Sequence, residues 1–135
     1  MTGSFATWFR SDRRGSTALE FALVGGLLVL LLIAPVELGL MIWTGGSLET
    51  VAAQTARCAA IGSCSDPAAY AVDLASKWIG AGAIAASDVT VTATTSCDNA
   101  TGTFERVTIT SSIWQGAFIT PLSGATQVAA ACFPT

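Results

Sequence analysis

Residues 21–41 read Phe-Ala-Leu-Val-Gly-Gly-Leu-Leu-Val-Leu-Leu-Leu-Ile-Ala-Pro-Val-Glu-Leu-Gly-Leu-Met. About 20 mostly apolar residues are what a helix needs to cross a bilayer. A cleaved secretory signal has a shorter apolar core followed by a small-residue cut site, and Ala34-Pro35-Val36-Glu37-Leu38 offers no such site. The pair Arg13-Arg14 invites a twin-arginine export reading, yet Gly15-Ser16-Thr17 is polar where those signals turn apolar. The run is therefore read as a helix that stays in the membrane. Glu20 stands at its mouth, where a charge is costly and rare, so it is a functional residue by default.

The chain has 135 residues, of which 52% are hydrophobic and 11% charged. That length suits one folded domain, and the charge falls well below the quarter or so usual for a soluble one. Charge is also unevenly placed. Arg10, Arg13 and Arg14 face only Asp12 before the apolar run, whereas Arg57, Lys77 and Arg106 face eight carboxylates from Glu20 onward. By the positive-inside rule the N-terminus is expected in the cytoplasm and the acidic remainder outside it. With no basic run beyond the leader, no nucleic-acid partner is expected.

Within the apolar segment, Pro35 is expected to bend the helix, because its ring clashes with the carbonyl of Leu31 and removes a hydrogen bond. Gly25, Gly26 and Gly39 allow close helix contact, or they are ordinary membrane-helix composition. Glu37 is a second carboxylate in the segment, about 25 Å beyond Glu20 along a helix. It is expected near the exported interface, solvated there in preference to paired. Trp43 suits the aromatic belt at the same level.

The leader, residues 1–15, is short, basic and polar. It ends in Gly15, and Ser16-Thr17-Ala18-Leu19-Glu20-Phe21 follows. This G-x-x-x-x-E-F pattern resembles the processing site of the type IV pilin superfamily, with the cut between Gly15 and Ser16. Several further features resemble the TadE-like minor pseudopilins of tight-adherence (Flp-type) pilus systems. They are the Arg-Arg-Gly leader, Leu-Glu-Phe-Ala-Leu-Val, the leucine-rich core, Glu37-Leu38-Gly39, and Ala56-Arg57 beyond the membrane. The resemblance spans roughly residues 13–60; residues 61–135 match only in general style. It implies a prepilin peptidase as partner, cutting on the cytoplasmic side, where glycine lets the peptide lie extended in the protease. It implies that the freed amine of Ser16 pairs with Glu20 of a neighbouring subunit, beside Phe21. Leaving that carboxylate unpaired in low dielectric would be costly; the alternative is a Glu20 hydrated among the headgroups. Other pilins or pseudopilins, inner-membrane assembly proteins and the lipid bilayer are the further partners implied.

The expected fold is α+β, pilin-like: a long N-terminal transmembrane helix running into a small exported head with a short helix and a three-stranded antiparallel sheet. The divisions are a leader at 1–15, a membrane helix at 16–43, a helical extension at 44–62 and a head at 63–135. Gly45-Gly46 weakens the extension, but Leu48, Ala52, Thr55 and Ala59 recur on one helical face, and Gly62-Ser63 ends it. Residues 16–61 would make a rod on the order of 70 Å. Asp66-Pro67 caps and opens a second helix at about 68–79, with Ala71, Leu74 and Trp78 on one side, ended by Gly80-Ala81-Gly82. Residues 89–94 alternate as a strand, 98–102 turn, 104–112 form a second strand with Val107 and Ile109 on one face, and 124–132 a third. Residues 114–122 are a connection in which Pro121 stops any helix.

All four cysteines, Cys58, Cys64, Cys97 and Cys132, follow the apolar run, as expected of two disulfides in a small exported domain. Three pairings are open. Cys97 is in phase with Val89 and Val91, and Cys132 with Val128, so both are expected on the packed face. Cys97 is accordingly paired with Cys132, and Cys58 with Cys64; a head this small needs such staples. No enzyme is expected. The chain has no histidine, the commonest general base and metal ligand. Asp66, Asp73, Asp88, Asp98 and Glu105 fall where caps and turns explain them, and Lys77 falls on a helix surface. No catalytic residue, metal or cofactor is assigned. Trp78, Trp114 and Phe118 are expected in the core in preference to an adhesive patch. The competing reading is an unprocessed, single-pass, membrane-anchored periplasmic binding or envelope protein. The twin-arginine exported enzyme stands third.

Overall fold

The computed structural model describes residues 14–114 and 124–135. Over these the chain is α+β: helix α1 (Arg14–Ala60), helix α2 (Pro67–Trp78), a 3-10 turn (Ala86–Asp88) and strands β1 (Val89–Cys97), β2 (Ala100–Trp114) and β3 (Ala125–Pro134). The leader up to residue 13 and the connection at 115–123, with Phe118 and Pro121, lie outside the described residues, as does the side chain of Trp114. The chain divides into two compact units, residues 1–36 and 37–135.

In the first unit, α1 is apolar on every side and exposed on every side: Leu19, Phe21, Leu23, Val24 and Leu27 are all more than 60% exposed. A helix hydrophobic all round is made to be surrounded by something apolar. The stretch from Thr17 is apolar and long enough to cross a membrane, with a mean hydropathy of 2.5, and its most apolar part is not buried within the chain. The helix continues through Pro35.

In the second unit, residues 37–60 of α1 form one wall of a core. Leu48, Val51, Ala52 and Ala56 pack with Ala71 and Ala75 of α2, Ile84, and Val107, Ile109 and Ala129 of the sheet. Gly45-Gly46 does not interrupt the helix. Each glycine in a helix interior costs about 1 kcal/mol relative to alanine, and the burial of Ser47, Leu48 and Val51 immediately afterwards offsets it. The end of α1 is a Schellman motif. Gly62 turns left-handed at φ 65°, Ser63 N–H donates to Cys58 O at 3.0 Å, and Gly62 N–H donates to Ala59 O at 3.1 Å.

Helix α2 begins as its sequence dictates. Asp66 Oδ1 accepts from the N–H groups of Ala68 and Ala69 at 3.0 and 3.1 Å, and Pro67 occupies the first turn, where no N–H is needed. It buries Ala71 and Ala75. Trp78, expected in the core, is instead 47% exposed, because the two alanines, four residues apart, bring the helix backbone close to its neighbours and turn the indole outward. The helix gives way to Gly80, which takes φ 136°.

The sheet is antiparallel in the order β1-β2-β3. Val91 pairs with Val107 and Val107 with Ala131, and Val107 and Ile109 are fully buried as expected. The β1–β2 turn is tighter than expected: Cys97 pairs directly with Ala100, and Asp98 takes the left-handed φ of 51°. The third strand corrects the expected phase. Ala129 is buried and Val128 is 64% exposed, so the packed parity is 125, 127, 129, 131. Cys132 therefore lies on the outer parity with Val128, not on the packed face. The disulfides join Cys58 to Cys64 and Cys97 to Cys132, with Cα–Cα separations of 5.6 and 6.3 Å. The second ties the two outer strands across β2. A register shift between Thr94 and Ser96 in β1 breaks strict alternation before Cys97, and such irregularities re-aim the side chains that follow.

Candidate functional site

The residues singled out by sequence fall along α1. Gly15 and Ser16 sit in its first turn, since the helix starts at Arg14. The bond between them is thus part of helical backbone, whereas a protease cleft takes an extended strand. The first turn is the cheapest part of a helix to open, because its N–H groups have no partner within the helix. Glu20 follows one turn later and is exposed, next to Phe21, which is 79% exposed. A carboxylate and a phenyl ring are thus both exposed at the start of an apolar helix.

Glu37 stands apart from that pair, in the second unit. It is only 7% exposed, so the solvated carboxylate expected from sequence is not what the fold presents. It opens a buried polar stripe on the inner face of α1 that continues with Thr44 and Ser47, each also 7% exposed. Sequence reasoning missed the residue that meets this stripe, Gln127 of β3. Its Nε2 donates to Met41 O at 2.8 Å. Thr44 Oγ1 lies 3.0 Å from both Gln127 Oε1 and Met41 O, and its single proton serves one acceptor at a time. A part-buried amide with a partner at each end holds α1 to the sheet at a defined height and rotation. The signal that could have found it was a lone glutamine at an inward parity of an otherwise alanine-rich strand.

Three further carboxylates are structural. Asp66 caps α2, Asp73 pairs with Lys77 at 2.7 Å on an exposed helix face, and Asp88 Oδ2 accepts from Ala85 N–H at 2.8 Å. Among the described residues no group of histidine, cysteine and carboxylate side chains could hold a metal.

Residues 15–57 match the family model described as TadE-like protein. The match begins at Gly15, takes in Glu20, Phe21, Glu37 and Arg57, and ends before Cys58. No curated protein and no solved structure matches the chain. The chain thus carries a segment similar to TadE-like proteins at residues 15–57.

Proposed function

We propose that this chain is a minor pseudopilin that supports assembly of a tight-adherence pilus. In this reading a prepilin peptidase cuts after Gly15, the N-terminus faces the cytoplasm, residues 16–43 cross the bacterial inner membrane, and residues 44–62 and 63–135 form the extension and head in the periplasm. The freed amine of Ser16 pairs with Glu20 of an adjoining pilin or pseudopilin, and Phe21 packs beside that pair. One observation carries the reading: Glu20 is turned outward at the start of a helix whose apolar side chains are exposed all round, five residues after the glycine of a short basic leader.

The test is the intact mass and N-terminal sequence of the chain recovered from membranes of its host, with Glu20→Ala alongside. A mature chain beginning at Ser16, with Glu20→Ala cut normally but lost from assembled pili, supports the proposal. Retention of Met1 would withdraw it in favour of an unprocessed membrane-anchored envelope protein. The helical state of the Gly15–Ser16 bond is the observation that favours that second reading.

A further inference from the structure

The second unit carries an apolar surface that neither its core nor the pairing at Glu20 uses. Ile42, Trp43, Gly46, Ser47 and Thr50 of α1 form a shallow groove with Trp78 of α2. Ile42 is 68% exposed, Trp43 60% and Trp78 47%. Large apolar side chains gathered on one surface mark a contact with something apolar. The groove begins where the membrane run ends: Leu38 and Leu40, each 52% exposed, lead directly into Ile42. Its two largest walls are indoles, which favour the level where acyl chains meet headgroups, since the ring is apolar and the N–H is wet. Its floor carries the hydroxyls of Ser47 and Thr50 beside the bare backbone of Gly46, where an added Cβ would meet nothing within 4 Å.

We infer that this groove is filled by lipid, and that Trp78 is a membrane-interface anchor which, with Trp43, seats the head on the bilayer surface. The apolar surface of α1 thus extends onto α2, and the end of α2 rests among the headgroups. The inference rests on the reading of α1 as a membrane anchor.

The experiment uses the full chain in vesicles of phosphatidylethanolamine and phosphatidylglycerol. Two single-tryptophan proteins are made, one keeping Trp43 and one keeping Trp78, with the other tryptophans changed to phenylalanine. A control in the tryptophan-free background carries Ile61→Trp just past the end of α1, at an exposed position about 27 Å along the helix from Trp43. Lipids brominated high on the acyl chain, and acrylamide in the water, are the quenchers. The expected result is that Trp78 is quenched by the brominated lipid to an extent comparable with Trp43 and several-fold more than the control, which acrylamide quenches instead. Trp43 quenched by lipid and Trp78 by acrylamide would overturn the inference and leave the anchor intact. Neither quenched by lipid would overturn both. A Trp78 shielded from both quenchers, and exposed to acrylamide when protein is diluted in lipid, would show a second copy in the groove and also overturn it. Should the substituted chains fail to fold, the unaltered chain in nanodiscs of the same lipids answers through the Trp78 indole N–H signal, assigned by its loss in Trp78→Phe. A headgroup spin label broadens that signal if the inference holds and spares it if not.

Discussion

Thr55 is fully buried on the inner face of α1, and its Oγ1 has no hydrogen-bond partner among the described residues. A buried hydroxyl left unpaired costs about 1–3 kcal/mol, and valine has the same shape without the polar atom. Thr55→Val is therefore expected to stabilise the head by about 1 kcal/mol, read as a higher midpoint of thermal unfolding in detergent. Gln127 behaves in the opposite way. Gln127→Ala removes the amide that bonds both Met41 O and Thr44 Oγ1, leaving those two only each other, at an expected cost of about 1 kcal/mol in the same measurement. These two residues also show why single positions were hard to read. From 124 to 132 the chain offers alanine on both parities, so the lone valine, Val128, carried the phase assignment. The fold turns Val128 outward because the inward place is better used by a glutamine that clamps a helix.

Elements were more legible than residues. The start of α2 was written in Asp66-Pro67 and the end of α1 in Gly62-Ser63, because caps and left-handed turns demand particular side chains over a few residues. The inward face of α1 from Leu48 onward was legible for the same reason, being a local periodicity. The continuity of α1 across Gly45-Gly46 was expected on the same ground, and the fold keeps the helix unbroken there. Trp78 was misplaced because a large indole outweighs an alanine on a hydropathy count, whereas packing here favours the smaller side chain. At the Schellman turn, Gly62 takes φ 65° with nothing within 4 Å of an added Cβ, so Gly62→Ala meets no clash and shows the backbone cost alone. That cost is about 1–2 kcal/mol, and hydrogen exchange of the last turn of α1 is expected to quicken with it.

At the scale of the molecule, the α+β class and the three-strand antiparallel sheet followed from alternation, turn residues and the single apolar run. The likeness to TadE-like proteins lies in residues 15–57. The head itself was legible only in outline, because its core is built largely of alanine and valine, which specify little individually. The disulfides compensate for that thin core. Cys97–Cys132 closes a sequence separation of 35 residues and Cys58–Cys64 one of 6. A chain-entropy estimate gives about 4 and about 2 kcal/mol respectively, so replacing Cys97 and Cys132 by alanine is expected to lower the unfolding midpoint more than replacing Cys58 and Cys64. The same long bond has a mechanical consequence. A pull entering through α1 and leaving at residue 135 crosses Cys97–Cys132 instead of the chain it encloses. The β1–β2 turn, all of β2 and most of β3 then bear no load, and a stretched head can pay out only the chain outside the loop, chiefly residues 65–96. In single-molecule pulling, reduction of that bond should release an added contour length on the order of 120 Å, hidden as long as the cystine is intact.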